Sequence, residues 1–252
     1  EIILYYIIKA LRKEDTMFNL FVLTLEYLLS GIAVLLALRF MKKEGAYVVL
    51  STLIIASNLG VAKLFNLFGL EVTAANMSMG MAFVIYSILT EVYGQSEGRK
   101  AVWVGFFAQF LFIMLGLVYT IYTPSKNDFA QSYLSQVFAV TPRIAIASWT
   151  AFISSGYIAV WIHDSLRKRT KLWMRNNAAT KIGQIADNLI FVTIAFLGLV
   201  DLKTYFQIFI TTTIVEFFLD YVDTWIVYLG VKFLKDEKKD SENYQKMGIV
   251  SN

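Results

Sequence analysis

The chain has 252 residues, 57% of them hydrophobic and 17% charged, against roughly 45–50% and about 25% in soluble domains. About 144 apolar residues (57% of 252) and a mean hydropathy of +0.58 exclude a soluble domain and supply about seven stretches of the roughly 20 residues that cross a bilayer. The absence of cysteine excludes disulfides, thiolate metal sites and a cysteine nucleophile, and the net charge of +4 falls beside apolar segments, where cations orient a membrane protein. Nucleic acid is therefore excluded as a partner, and the lipid bilayer is expected as one.

Long apolar runs bounded by charge or proline predict seven spans. In chain order they are Met17 to Leu38, Ala46 to Phe68, Asn76 to Val92, Ala101 to Tyr122, Arg143 to Ile162, Ile182 to Val200 and Phe206 to Leu229. Arg39, Lys42 and Lys43 form the turn after the first, and a short polar loop from Gly94 to Lys100 separates the third from the fourth. Pro124 ends the fourth and an amphipathic loop covers Asp128 to Val140. Pro142 opens the fifth, since proline is tolerated at a helix start and not inside one. The expected architecture is all-α: a polytopic bundle with a six-helix core and an extra N-terminal span. It divides into an N-terminal segment (1–16), a transmembrane transporter domain (17–232) and a polar tail (233–252) whose end is expected to be disordered. Residues 1 to 16 do not resemble a cleavable signal, and Met17 is a candidate start.

The loops after spans one, three and five, with the tail, hold 16 of the 23 Lys and Arg; the opposite side holds 6, and Lys63 lies within span two. Cytoplasmic segments carry the positive excess. The expected protein is multi-pass in the cell membrane, with its C-terminus in the cytoplasm and its N-terminus outside.

An ionisable group in a bilayer core is costly, so each one is a functional candidate. Asp187 in span six shares a helical stripe with Thr180, Gln184 and Phe191. An anionic acceptor, an amide and an aromatic face suit a flat heterocycle bearing N–H donors, although the same groups also serve as interhelical hydrogen bonds. In span seven Glu216, Asp220 and Asp223 fall at i, i+4 and i+7. They read either as a proton or cation coupling relay, or as Asp223 near the membrane surface with Glu216 and Asp220 paired with Lys63 or Arg143. Glu26 has Ser30 as its companion and reads as structural. Asn58 and Lys63 lie in span two, where Ala56 and Gly60 permit close packing. Lys63 can snorkel outward, and Arg143 either holds an anionic group or anchors the interface.

HExxH, GxxxxGK[ST] and GxGxxG are absent, and Gly94 to Arg99 resembles a glycine loop only superficially. His163, the one histidine, lies at the edge of a basic loop and reads as solvated or capping. No enzyme, catalytic residue, cofactor or metal is expected.

Four segments carry a family resemblance: TEVYGQSEGRKAVWVGFFA (Thr90 to Ala108), YTPSKNDFAQ (Tyr122 to Gln131), TPRIAIAS (Thr141 to Ser148) and LWMRNNAATKIGQIADNLIF (Leu172 to Phe191). Together they resemble the YhhQ-type queuosine precursor transporters, also called the vitamin uptake transporter family, from about span two to residue 230. The resemblance implies uptake of a small, flat, guanine-like deazapurine. By position it carries over Asn58, Lys63, Asn76, Glu91, Tyr93, Gly94, Arg99, Arg143, Ser148, Arg175, Asn176, Asn177, Thr180, Gln184, Asp187 and Asp223. Three positions depart: relatives carry an aspartate where this chain has Ser87, and a glutamine and an aspartate where it has Gly156 and Ala159. Losing such groups should alter substrate preference.

The expected function is uptake of a queuosine precursor or related purine-like heterocycle. The alternatives are a membrane-embedded binding subunit that needs a separate energising complex, and an intramembrane enzyme. The expected substrate-binding residues are Asn58, Lys63, Asn76, Glu91, Arg143, Ser148, Gln184, Asp187 and Phe191, and the coupling residues Glu216, Asp220 and Asp223. A homo-oligomer is left open.

Overall fold

The structure, a computed structural model, describes residues 2–67, 70–138, 142–219 and 223–246; side chains are described between residues 16 and 236, apart from 70, 71, 207, 211, 215, 218 and 219. The described residues form nine helices and one hairpin in the order α1 (Ile2–Phe40), α2 (Lys42–Gly60), β1 (Leu64–Leu67), β2 (Leu70–Thr73), α3 (Ala75–Tyr93), α4 (Gln95–Ile121), α5 (Gln131–Val137), α6 (Pro142–Leu166), α7 (Leu172–Phe196), α8 (Leu202–Leu219) and α9 (Thr224–Lys246). An all-α membrane bundle is what the composition predicts. Four of the described segments are long and apolar enough to cross a membrane: Thr16–Phe40, Ala75–Tyr93, Gln95–Ile121 and Pro142–Leu166.

Helical periodicity decides which faces turn inward. On α1, Leu23, Tyr27, Ser30 and Val34 are buried while Phe18, Phe21, Leu25, Leu29, Ile32 and Leu36 are exposed. On α4, Val102, Gly105, Gln109 and Ile113 face the bundle and Trp103, Phe107, Leu111 and Val118 face out. An uncovered apolar face of this extent matches lipid rather than water. Helix α3 is the centre of the bundle, with 15 of its 19 residues buried.

Several boundaries differ from the sequence expectation. Span two does not run to Phe68: α2 stops at Gly60, and the chain enters an antiparallel hairpin pairing Leu64 with Thr73 and Leu67 with Leu70. A running hydropathy sum ignores periodicity, so apolar Leu64, Phe65 and Leu67 read as more helix. The polar loop from Gly94 to Lys100 is a single break at Gly94, whose φ of +94° is open to glycine; α4 starts at the next residue. The basic loop from His163 to Lys181 shrinks to five residues between α6 and α7, because α7 begins at Leu172, ten residues before the predicted Ile182. Span seven is two helices, α8 and α9, with residues 220–222 outside the described residues and Asp223 in a turn. The polar tail is helical to Lys246. Asp201 begins α8 by accepting bonds from the Thr204 amide at 3.1 Å and hydroxyl at 2.6 Å, which hold its carboxyl below the usual range.

Candidate functional site

A narrow cleft between α3 and α6 is lined by Met79, Ala82, Phe83, Tyr86, Phe152 and Ser155 and is too tight in this conformation to hold a water molecule. Ser155 reaches across to α7 and donates to Asp187 Oδ1 at 2.8 Å. Asp187 lies fifteen residues into a 25-residue helix, far from either end, and a carboxylate so placed needs a donor. On the other side of the cleft, a Cβ on Gly105 of α4 would lie 2.8 Å from Phe152 Cζ and 3.3 Å from the Tyr86 hydroxyl. One turn along α4, Gln109 Nε2 donates weakly to Asn58 Oδ1 of α2 at 3.5 Å. Asn58, Gln109, Tyr86, Ser155 and Asp187 thus follow one another across five helices.

Of the residues expected to bind substrate, Gln184 is buried one turn before Asp187, and Phe191 sits one turn after it with its ring edge-on to Phe196 at 6.0 Å. Ser148 is half-buried on α6, about two turns before Ser155. Asn76 is held elsewhere, accepting from Thr73 Oγ1 at 3.2 Å where the hairpin enters α3. Lys63 is exposed at the start of the hairpin. Arg143 caps the far end of α7, donating to the carbonyls of Ile194 at 2.5 Å and Leu197 at 2.7 Å. Asp187 takes its bond from Ser155, whereas Arg143 directs its donors to the last carbonyls of α7.

Glu91 forms a separate centre at the end of the bundle that carries the basic turns. Its carboxylate accepts two parallel bonds from Arg175, at 2.9 Å and 2.8 Å, the geometry in which guanidinium recognition is strongest. His163 Nε2 lies 3.3 Å away and Lys235 Nζ 3.7 Å away. This centre joins α3, α6, α7 and α9. His163, expected to be solvated or capping, is wholly buried. Arg175 explains why α7 extends beyond its apolar stretch: with Glu91 as partner, a cation can be buried in the first turn. The sequence signal for this centre is the matched pair of Glu91 and Arg175, the second of which hydropathy alone counts as loop. Nearby, Glu97 accepts from the Tyr47 hydroxyl and faces Lys43 at 3.5 Å, tying α4 to α2. The residues Gly94 to Gly98 spell GxSxG, but the element directly before them is helix α3 and not a strand, so the strand–turn–helix setting of a nucleophile elbow is missing.

Of the carboxylates expected on one face of span seven, Glu216 lies on α8 and Asp223 in the turn before α9. Glu216 of α8 accepts from Asn188 Nδ2 of α7 at 2.7 Å, not from Lys63 or Arg143. Asp223 is buried at the start of α9 against Tyr27, whose hydroxyl also accepts from Trp225 at 2.9 Å. Asp220 lies outside the described residues. Glu26, expected to be structural, accepts from Ser78 at 3.1 Å and ties α1 to α3.

The departing positions are close-packed. A Cβ on Gly156 would lie 2.8 Å and 2.9 Å from the Val102 methyls, and one on Gly183 would lie 3.0 Å from the Ala159 Cβ. At these positions α6 packs close to α4 and α7. Ser87 is buried at 3% exposure.

A family model described as "Putative vitamin uptake transporter" matches residues 73–230. A Bacillus subtilis protein named "Probable queuosine precursor transporter" is 32% identical over 216 residues, covering 83% of this chain and 93% of that protein. A Haemophilus influenzae protein of the same name is 24% identical over 131 residues, 52% of this chain and 54% of that protein. No solved structure matches the chain at a significant level. The matched stretch holds the path from Tyr86 to Asp187 and, of the Glu91 centre, Glu91, His163 and Arg175, and the chain belongs to the vitamin uptake transporter family.

Proposed function

We propose that this protein takes up a queuosine precursor, a 7-deazapurine, with Asp187 receiving N–H groups of the substrate's pyrimidine edge. The observation that carries the reading is Asp187 itself, a carboxylate mid-way along α7 with Ser155 as donor beside an apolar cleft. Gln184 and Phe191 flank it on the same face, the amide for orientation and the ring for stacking. Names given to the relatives support the same substrate class.

The cleft is closed in this conformation, so transport requires α3, α4 and α6 to part. The Glu91 centre is suited to hold one end shut while the other opens. Its end carries the basic turns, which supports assigning it to the cytoplasm. Seven crossings follow if α8 and α9 carry one interrupted crossing between them; interrupted helices recur at transporter sites. Glu216 and Asp223 lie on either side of residues 220–222, and together with Asp220 they are assigned to coupling. Asn58 and Ser148 belong with the substrate path, whereas Lys63, Asn76, Arg143 and Glu91 act on its borders.

Reconstitution into liposomes with labelled 7-deazaguanine tests the proposal. Accumulation by the purified chain alone supports it. Binding without sustained accumulation indicates a binding subunit of a larger system, chemical change of the probe indicates an enzyme, and no binding contradicts the substrate class.

A further inference from the structure

We propose that Tyr86 and Gln109 form the second half of the substrate site and read the edge of the heterocycle opposite the one held by Asp187, so that the site takes a free base and refuses a nucleoside. The inference rests on the transporter reading above. Tyr86 is 2% exposed and Gln109 6%, and neither the Tyr86 hydroxyl nor Gln109 Oε1 has a hydrogen-bond partner among the described residues. Buried polar atoms are almost always paired, and an unpaired one opposes folding where phenylalanine or leucine would not. Two such atoms in one locality need a partner that arrives from outside.

Both belong to the same wall. The Tyr86 hydroxyl approaches Gly105, Gln109 follows Gly105 by one turn on the inward face of α4, and Tyr86 lines the cleft together with Ser155, which bonds Asp187. Phe152 packs on Gly105 between the two halves and is the ring that must move for a ligand to bridge them.

The chemistry of the two halves is complementary to a purine-like ring. Asp187 accepts from the ring N–H and exocyclic amine of a guanine-type edge. The far edge of a free 7-deazaguanine carries the pyrrole N–H at position 9, a donor for which the Gln109 carbonyl is the acceptor, with the Tyr86 hydroxyl able to give or take a bond beside it. In a nucleoside that hydrogen is replaced by the sugar, leaving the carbonyl unpaired and the wall obstructed.

Two measurements test this. In purified, ligand-free protein, Tyr86→Phe removes an unpaired hydroxyl and should raise Tm by about 2–4 °C; a fall would overturn the proposal by giving the hydroxyl a structural partner. Equilibrium binding of 7-deazaguanine and 9-methyl-7-deazaguanine should show wild type preferring the former by about tenfold or more, and Gln109→Leu binding the two alike. A wild type without preference, or a Gln109→Leu variant that keeps it, overturns the proposal. If wild type binds neither compound, the substrate reading fails, and the direction of the Tyr86→Phe shift still decides whether the wall holds an unpaired hydroxyl.

Discussion

Ser155 on α6 gives its hydroxyl hydrogen to Asp187 on α7 at 2.8 Å, joining the helix that lines the cleft to the helix that carries the charge. Ser155 is 1% exposed, so water cannot readily take its place. Replacing it with alanine removes the donor and leaves the carboxylate under-satisfied, at a cost of about 1–3 kcal/mol. Ser155→Ala should lower the thermal stability of ligand-free protein, and bound substrate should restore part of it, because N–H groups of the ligand then serve the carboxylate. Thermal shift with and without 7-deazaguanine measures both.

Glu91 and Arg175 are an ion pair with little exposure, 7% and 9% at their side chains. Removing one partner from such a pair is costlier than removing both, by about 3–5 kcal/mol against a near-neutral change. Glu91→Gln should therefore be strongly destabilising, whereas Glu91→Leu combined with Arg175→Met should recover part of the loss, the remainder falling on buried His163, which loses the same carboxylate. A double-mutant cycle on thermal stability reads the coupling. If the pair also holds one end shut, the double variant folds but leaks substrate from loaded liposomes.

The glutamine that the family resemblance leads one to expect at residue 156 cannot simply be introduced there. A Cβ there meets the Val102 methyls at 2.8 Å and 2.9 Å, and overpacking of this kind costs about 1–3 kcal/mol. Gly156→Gln alone should reduce stability, and Val102→Ala in the same chain should restore it. Independent effects of the two substitutions would contradict the contact.

The chain contains no cysteine, so a single introduced thiol reports its own side of the membrane. Ser165 is exposed in the last turn of α6, beside Arg167, Lys168 and Arg169. Ser165→Cys in intact cells should resist a membrane-impermeant maleimide and react after permeabilisation. Labelling from outside would reverse the proposed orientation.

The membrane bundle is legible in the sequence because hydropathy and proline act locally. The start of α6 at Pro142 falls where the proline rule puts it. What hydropathy misses depends on partners distant in the chain. Arg175 belongs inside a helix only because Glu91, 84 residues away, accepts its bonds; taken alone it marks a loop. His163 is hidden for the same reason, since its burial rests on the same carboxylate. Asp187 is visible as a lone carboxylate on an amide and aromatic stripe, but its donor Ser155 is not, since a serine in an apolar span is common. The hairpin after α2 is hidden because four-residue strands of mixed polarity lie within the window that a hydropathy sum averages.

Equilibrium binding of 7-deazaguanine to wild type and to Asp187→Asn tests the central claim most directly. The substitution keeps shape and exchanges an acceptor for a donor, so two donors face each other where the substrate's N–H groups enter. Charge-assisted bonds contribute roughly 1.5–3 kcal/mol, so Asp187→Asn should weaken binding about tenfold to a hundredfold while circular dichroism and elution volume stay those of wild type. A folded Asp187→Asn protein that binds 7-deazaguanine as tightly as wild type would contradict the account, and the Ser155 to Asp187 bond would then be a structural tie between α6 and α7.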